Sequence, residues 1–235
     1  MQKNQTTRIG ILGGIGPEAT AEFYSGLIKE IQKKLPIESN KDFPQIIINS
    51  IPAPELVGEI IPKEELAPYF KGIQELDLLG VDFIAMICNT IHLFREELQE
   101  VTKCPIIDLR KEIAFKINAK KTNSILVLGA PKTVNKLYNF KTLKIVKPNK
   151  KEIKILSEAI FLFNKGEQKQ RQTKKVKKIC KKYVGRNAEA VLLGCTEIAL
   201  MLKKTNMPKI DPMEIMIGSI INRLAKERGL KTKRE

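Results

Sequence analysis

The sequence predicts an α/β fold of two pseudo-symmetric domains, each a mainly parallel sheet flanked by helices, with a site in the cleft between them. Three observations lead there. Short apolar runs alternate with helix-period segments along the chain, the pattern of parallel sheets joined by right-handed crossovers. A glycine turn, Gly13-Gly14-Ile15-Gly16-Pro17, connects the first strand to the first helix. The strand-to-helix junction that delivers Cys88-Asn89-Thr90 returns in the second half as the junction that delivers Cys195-Thr196-Glu197.

Arg8 to Leu12 reads as a strand, and Ala19 to Leu35 as a helix through Phe23, Leu27, Ile31 and Leu35. Pro17 suits the first turn of that helix, where a missing N–H costs nothing, and Pro36 stops it. The isoleucine run Gln45 to Asn49 predicts a strand buried on both faces of a parallel sheet. After a proline-rich loop, 52–68, Leu66 to Leu79 predicts a helix closed by Gly80 and Val81 to Ile87 a strand ending at Cys88. Thr90 to Val101 reads as helix and Pro105 to Ile107 as a short strand.

A second cycle has strands at Ser124 to Leu128, Lys144 to Val146 and Ala190 to Leu193. Its helices are Thr133 to Phe140, Glu152 to Lys165 and Gln168 to Tyr183, with a further one after Cys195. A last helix, Asp211 to Leu224, crosses back to the first domain. The predicted domains are therefore 1–115 plus 213–235, and 116–212.

Composition narrows the function classes. No run approaches the roughly 18 apolar residues of a membrane span, and the polar start Met1-Gln2-Lys3-Asn4-Gln5 lacks a signal-peptide core. A cytoplasmic location is expected, with Cys88, Cys104, Cys180 and Cys195 as free thiols. These four form no C-x-x-C pair, and His92 is the only histidine, which argues against a metal site. The net charge of +16 raises nucleic acid as a partner. Half of that excess lies between Lys165 and Lys182, where Val176, Ile179, Cys180 and Tyr183 define an apolar helix face and the lysines a solvated one. Nucleic-acid binding is therefore the less favoured reading.

The glycine turn sits at the carboxyl end of the first strand, where open α/β sheets bind ligands, and the N–H groups around Gly14 and Gly16 suit an anion. Gly14 to Ala19 also matches G-x-G-x-x-A, a dinucleotide fingerprint. Against a dinucleotide, the second strand ends in Asn49-Ser50 rather than an acid, and Pro17 intrudes on the turn. A purely structural tight turn is the third possibility.

Cys88 and Cys195 occupy matching strand-to-helix junctions, where local N–H dipoles lower a thiol pKa from about 8.5 toward neutrality. Either alone would read as a buried apolar residue; two in equivalent settings read as a reactive pair. Cys104 and Cys180 lack that setting. His92 lies about one helical turn past Cys88, placed either to support a thiolate or to pack locally. Asn89, Thr90 and Thr196 offer donors beside the thiols, or serve as helix caps.

Three segments carry a resemblance: Gly-Ile-Leu-Gly-Gly-Ile-Gly-Pro-Glu-Ala-Thr at 10–20, Cys-Asn-Thr-Ile-His at 88–92 and Gly-Cys-Thr-Glu at 194–197. In register, and followed by Ile210-Asp211-Pro212-Met213, they resemble the aspartate/glutamate racemase family, most closely its aspartate racemase branch. The resemblance implies two α/β domains, a cysteine from each in the cleft, no cofactor, a homodimer and an amino-acid substrate. It makes Cys88 and Cys195 the catalytic pair, one a thiolate and the other a thiol. The α-carboxylate would be held by the Gly14 and Gly16 turn, Asn49, Asn89, Thr90 and Thr196, with His92 and Glu197 in support.

The sequence departs from that pattern at substrate recognition. Aspartate enzymes of the family place an arginine in the loop after the second strand, and the matching residue is Leu56. Lys165 matches a second cationic position and is left to bind a distal carboxylate. Aspartate is thus the first expectation, with broader or different amino-acid specificity, or a non-catalytic amino-acid sensor, as alternatives.

Overall fold

Two parallel sheets of equivalent order organise the chain. The computed structural model describes residues 6–120, 122–140 and 143–230, so the polar start and the last five residues of the expected first domain lie outside the described residues. In the first sheet, β1 (Arg8–Gly13) lies between β2 (Gln45–Ser50) and β3 (Phe83–Met86), and Ile106 adds one parallel bridge to Ile84. In the second, β4 (Ser124–Leu128) lies between β5 (Lys144–Val146) and β6 (Ala190–Leu193), and β7 (Lys209–Ile210) pairs beyond β6. The expected α/β class with two parallel sheets holds. Because β3 and β6 occupy the same place in the two orders, the residues just past their carboxyl ends, Cys88 and Cys195, occupy equivalent positions too.

Helices cover the sheets: α1 (Pro17–Lys34), α2 (Ala67–Leu78), α3 (Arg95–Glu100) and α4 (Leu109–Lys120) come from the first half. From the second come α5 (Lys150–Asn164), α6 (Lys169–Tyr183) and α7 (Thr196–Leu202), followed by α8 (Pro212–Glu227). α8 packs against α1 and α4. Its Met216, Ile220 and Leu224 join Ile9, Ile11 and Phe23 of the first half and Ile125, Val127 and Leu192 of the second in one contiguous apolar core. Each fully buried aliphatic side chain there contributes roughly 1.5–3 kcal/mol relative to exposure.

Gly14 is required by its backbone. Its φ is +87°, and a Cβ there would come within 2.3 Å of the Ile51 carbonyl oxygen. The Thr20 hydroxyl then accepts from Gly14 N–H at 3.0 Å and reaches the Gly16 carbonyl at 3.2 Å, tying the turn to α1.

Several local expectations change. β2 is an edge strand with one neighbour, so its isoleucines are only partly covered, and Ile48 keeps 37% of its surface. The helix expected over Thr133 to Phe140 is a single π-helical turn, Thr133–Leu137. Tyr138 then turns extended, at φ −110° and ψ 120°, and stacks on Phe140 at 5.9 Å between ring centroids, a pairing of residues two apart that an extended chain permits. Thr90 to Val101 divides into a 3-10 turn (Thr90–Phe94) and α3, broken where Phe94 leaves the helical region. The strand expected at Pro105 to Ile107 contributes one bridge. α4, whose apolar face is Leu109, Ile113 and Ile117, had no counterpart in the sequence reading.

The basic helix α6 buries Gln172, Val176, Ile179 and Cys180 and turns its lysines outward. Lys169 pairs with Glu18 across the halves, Lys175 with Glu158 at 3.6 Å and Lys182 with Glu152 at 2.7 Å. Among the described residues, no helix is long and apolar enough to cross a membrane.

The sheet repeat extends to Asp108 and Asp211, which open α4 and α8 in matching positions. Asp211 caps α8 by accepting from Met213 N–H at 2.9 Å, and burial raises its pKa to about 6, against 3.8 for a free carboxyl. A raised folded-state pKa means that stability is fully present below pH 3.8 and is lost as pH rises through about 6. Asp211→Asn keeps the cap acceptor and removes the buried charge. It should therefore unfold at a higher temperature than the parent at pH 7.5, with the difference closing near pH 4. A lower melting temperature for the variant at pH 7.5 would refute this assignment.

Candidate active site

The carboxyl ends of the two sheets face one another across a cleft. Its walls include Ile15, Leu56 and Val57 from the first half, and Ala130, Ile160, Asn164 and Gly194 from the second. Cys88, Asn89 and Thr90 enter from the end of β3; Cys195, Thr196 and Glu197 enter from the end of β6. Both cysteines are partly open to this space. The cleft is narrow, with about 30 Å³ of room for the centres of water-sized molecules.

Glu197 organises the second-half side. The Cys195 thiol donates to its Oε2 at 2.6 Å, the Thr196 hydroxyl donates to the same oxygen at 3.1 Å, and Gly16 N–H donates to Oε1 at 3.3 Å. The last contact crosses between the halves. A Cβ on Gly16 would stand 2.6 Å from Glu197 Oε1 and 2.3 Å from Asn164 Oδ1, so a larger residue there would displace the ends of these two side chains.

Donors on the first-half side are fixed in a comparable way. The Tyr138 hydroxyl donates to Asn89 Oδ1 at 2.5 Å, which orients the amide and leaves its N–H groups for the cleft. The Thr90 and Thr133 hydroxyls share a hydrogen bond of 2.9 Å, again between halves. This is what the widened turn at Thr133–Leu137 achieves: it brings Thr133 and Tyr138 onto the two residues that follow Cys88.

The thiols do not have the lowered pKa values expected from their helix-start positions. Burial pushes Cys88 up to about 12, against the pull of the Ile91 and Thr90 N–H groups and with the Glu197 charge adding to the rise. Cys195 is raised by burial first, then by the charge and hydrogen bond of Glu197, then by Cys88. Desolvation disfavours the thiolate more than the local dipoles favour it. Near pH 7 both groups are therefore thiols.

The remaining candidates divide. Gly16, Asn89, Thr90, Thr196 and Glu197 come together with the two cysteines. Gly14 shapes the turn. Asn49 does not reach the cleft, because its amide donates to the Gly72 carbonyl at 3.2 Å and to Glu75 Oε2 at 2.7 Å, facing α2. Lys165 is half exposed and paired with Glu167 at 2.6 Å; its neighbour Asn164, at the end of α5, lines the cleft instead. His92 is fully buried behind β3, with Nε2 at 3.4 Å from the Met86 carbonyl and Nδ1 without a partner. Burial lowers its pKa to about 4, which leaves the ring neutral near pH 7. Leu56 is buried, 3% exposed, so the matching position is apolar in fact as well as in sequence.

Cys104 and Cys180 have local roles: the Cys104 thiol donates to the Val81 carbonyl at 2.9 Å, and Cys180 packs on Met207. Sequence reasoning missed Asn164, Tyr138, Thr133 and Glu55. Asn164 had a signal, a polar residue closing the apolar run Ile160 to Phe163 one position before Lys165. Among the described residues, no group of three or more histidine, cysteine or carboxylate side chains could hold a metal ion.

Comparison with known proteins identifies the family and the fold. The family model described as Asp/Glu/hydantoin racemase matches residues 12–220. The chain is 25% identical over 224 residues to the broad specificity amino-acid racemase RacX of Bacillus subtilis (strain 168), covering 91% of this chain and 96% of that protein. Picrophilus torridus aspartate racemase superposes with a TM-score of 0.75 at 23% identity, over 97% of this chain and 96% of its own. An aspartate racemase homologue from Pyrococcus horikoshii OT3 gives 0.70 at 27% identity, over 94% and 100%. With a family match along most of its length and the same fold across nearly the whole of both chains, the protein belongs to the Asp/Glu/hydantoin racemase family.

Proposed function

We propose that this chain is an amino-acid racemase that moves the Cα proton between Cys88 and Cys195. The observation that carries the reading is the pair of thiols opening onto one cleft from equivalent strand ends in the two halves. Inverting a stereocentre needs a base on one face of Cα and an acid on the other, with the roles exchanged for the opposite enantiomer. Two thiols supply that symmetry. One sulfur, as thiolate, takes the Cα proton while the C–H electron pair spreads into the carboxylate; the opposite thiol then returns its proton to Cα, leaving a thiolate behind.

The raised thiol pKa values fit a site activated by its substrate. A bound α-ammonium brings a positive charge into the desolvated space and favours one thiolate. Glu197 Oε2, already receiving the Cys195 proton, is the group that accepts it. Charge developing on the α-carboxylate meets the Asn89 amide N–H groups and the N–H groups at the starts of the two helical turns, fixed donors of the kind that lower such barriers most. The reading treats 1–115 plus 213–235 and 116–212 as the two halves of the enzyme, with α4 running on to Lys120 as the bridge between them.

Cys88→Ser and Cys195→Ser should each reduce racemisation by at least about a hundredfold, since a hydroxyl is a far weaker base. Loss of optical rotation and exchange of the Cα proton in deuterated buffer measure it. Parent rates in either variant would defeat the two-thiol reading.

Glu197→Gln removes the charge that raises both thiols. The pH dependence of alkylation by iodoacetamide should then shift to lower pH, while racemisation slows for lack of an acceptor for the Cys195 proton. An unshifted alkylation profile would remove Glu197 from this role.

A further inference from the structure

The chain has 42 lysines and arginines, yet among the described residues none lines the cleft. The charged side chains that do are Glu197 and Glu55. Glu197 is occupied by Cys195, Thr196 and Gly16. Glu55 is different: it is exposed at the edge of the cleft and pairs with no cation among the described residues. Its backbone is held on both sides, by the Tyr69 hydroxyl donating to the Pro54 carbonyl at 2.5 Å and by Val57 N–H donating to the Glu55 carbonyl at 2.9 Å. Leu56, Val57 and Ile160 give the same cleft an aliphatic lining.

Building on the racemase reading, we infer that Glu55 selects amino acids with a cationic side chain, of the lysine or ornithine type. A methylene stem would lie along Leu56, Val57 and Ile160, and its terminal ammonium would reach the Glu55 carboxylate at the mouth. The stem loses water against aliphatic surface while the head keeps both its counter-ion and solvent, the arrangement long basic side chains favour. A distal carboxylate in the same place would face Glu55 with no cation to offset the repulsion. Lys165 pairs with Glu167 and does not line the cleft.

The test compares L-lysine with L-norleucine, which has the same stem but no terminal charge, and with L-aspartate. Racemisation kcat/KM for lysine should exceed that for norleucine by about tenfold, a modest factor because the pair is solvent-exposed, and should exceed that for aspartate by more. In Glu55→Gln the lysine-to-norleucine ratio should fall toward one, chiefly through KM for lysine. Equal use of lysine and norleucine by the parent, preference for aspartate, or a ratio unaffected by Glu55→Gln would overturn the inference. Binding is measured separately by calorimetry in the Cys88→Ser protein, with and without Glu55→Gln. If the parent racemises none of the three, nor any member of a wider panel that includes glutamate, alanine and ornithine, the racemase reading fails. In that event, lysine binding that weakens about tenfold with Glu55→Gln would still support the recognition role of Glu55, and unchanged or absent lysine binding would overturn it.

Discussion

Glu197 sits where the two halves meet, and much of the site depends on its carboxyl. One oxygen takes the Gly16 N–H from the first half; the other takes the Cys195 thiol and the Thr196 hydroxyl from the second. A buried carboxyl without such donors would carry a large desolvation cost, so its partners and its position are set together. The glycine turn, the helix it starts and the junction after β6 must all keep their geometry for the three donors to converge. The same carboxyl acts on both cysteines through its charge, raising Cys195 and Cys88 alike beyond what burial does.

The electrostatics of the cleft favour protonated sulfurs. Helix-start N–H groups point toward the sulfurs, as the junction motif predicts, but desolvation outweighs them. On the proposed mechanism the thiols would stay protonated until substrate brings a positive charge, which would limit oxidation and alkylation of the two sulfurs between turnovers. Reactivity then becomes a property of the complex.

The architecture was largely legible in the sequence because it rests on strong periodic signals: the alternation of strand and helix, Pro17 and Pro36 at the ends of α1, and the repeated cysteine junction. What was less legible depended on neighbours that the sequence does not reveal. The isoleucines of β2 suggested a central strand, but a run of apolar residues cannot tell an edge from an interior position. Thr133 to Phe140 carried helical composition, and tertiary contacts of Thr133 and Tyr138 with the cysteine junction held it to one wide turn. At the site, residues next to the cysteines could be read directly. Asn49 and Lys165 occupied plausible positions along the chain, while their side-chain directions were set by Glu75 and Glu167. Tyr138 reaches Asn89 across 49 positions, a contact that no local pattern encodes.

The apolar core described above does not stop at the boundary between the halves: Ile9 and Phe23 lie in the same cluster as Val127 and Leu192, with α8 packed into it. The two sheets thus share one apolar cluster, and unfolding either would uncover core side chains of the other. Either half expressed alone would present an uncovered aliphatic surface to water and tend to aggregate. The same continuity limits how the cleft opens. A shared core of this kind would favour movement of the turns and loops at the carboxyl ends of the strands, the parting of lips, over the swing of two independent lobes.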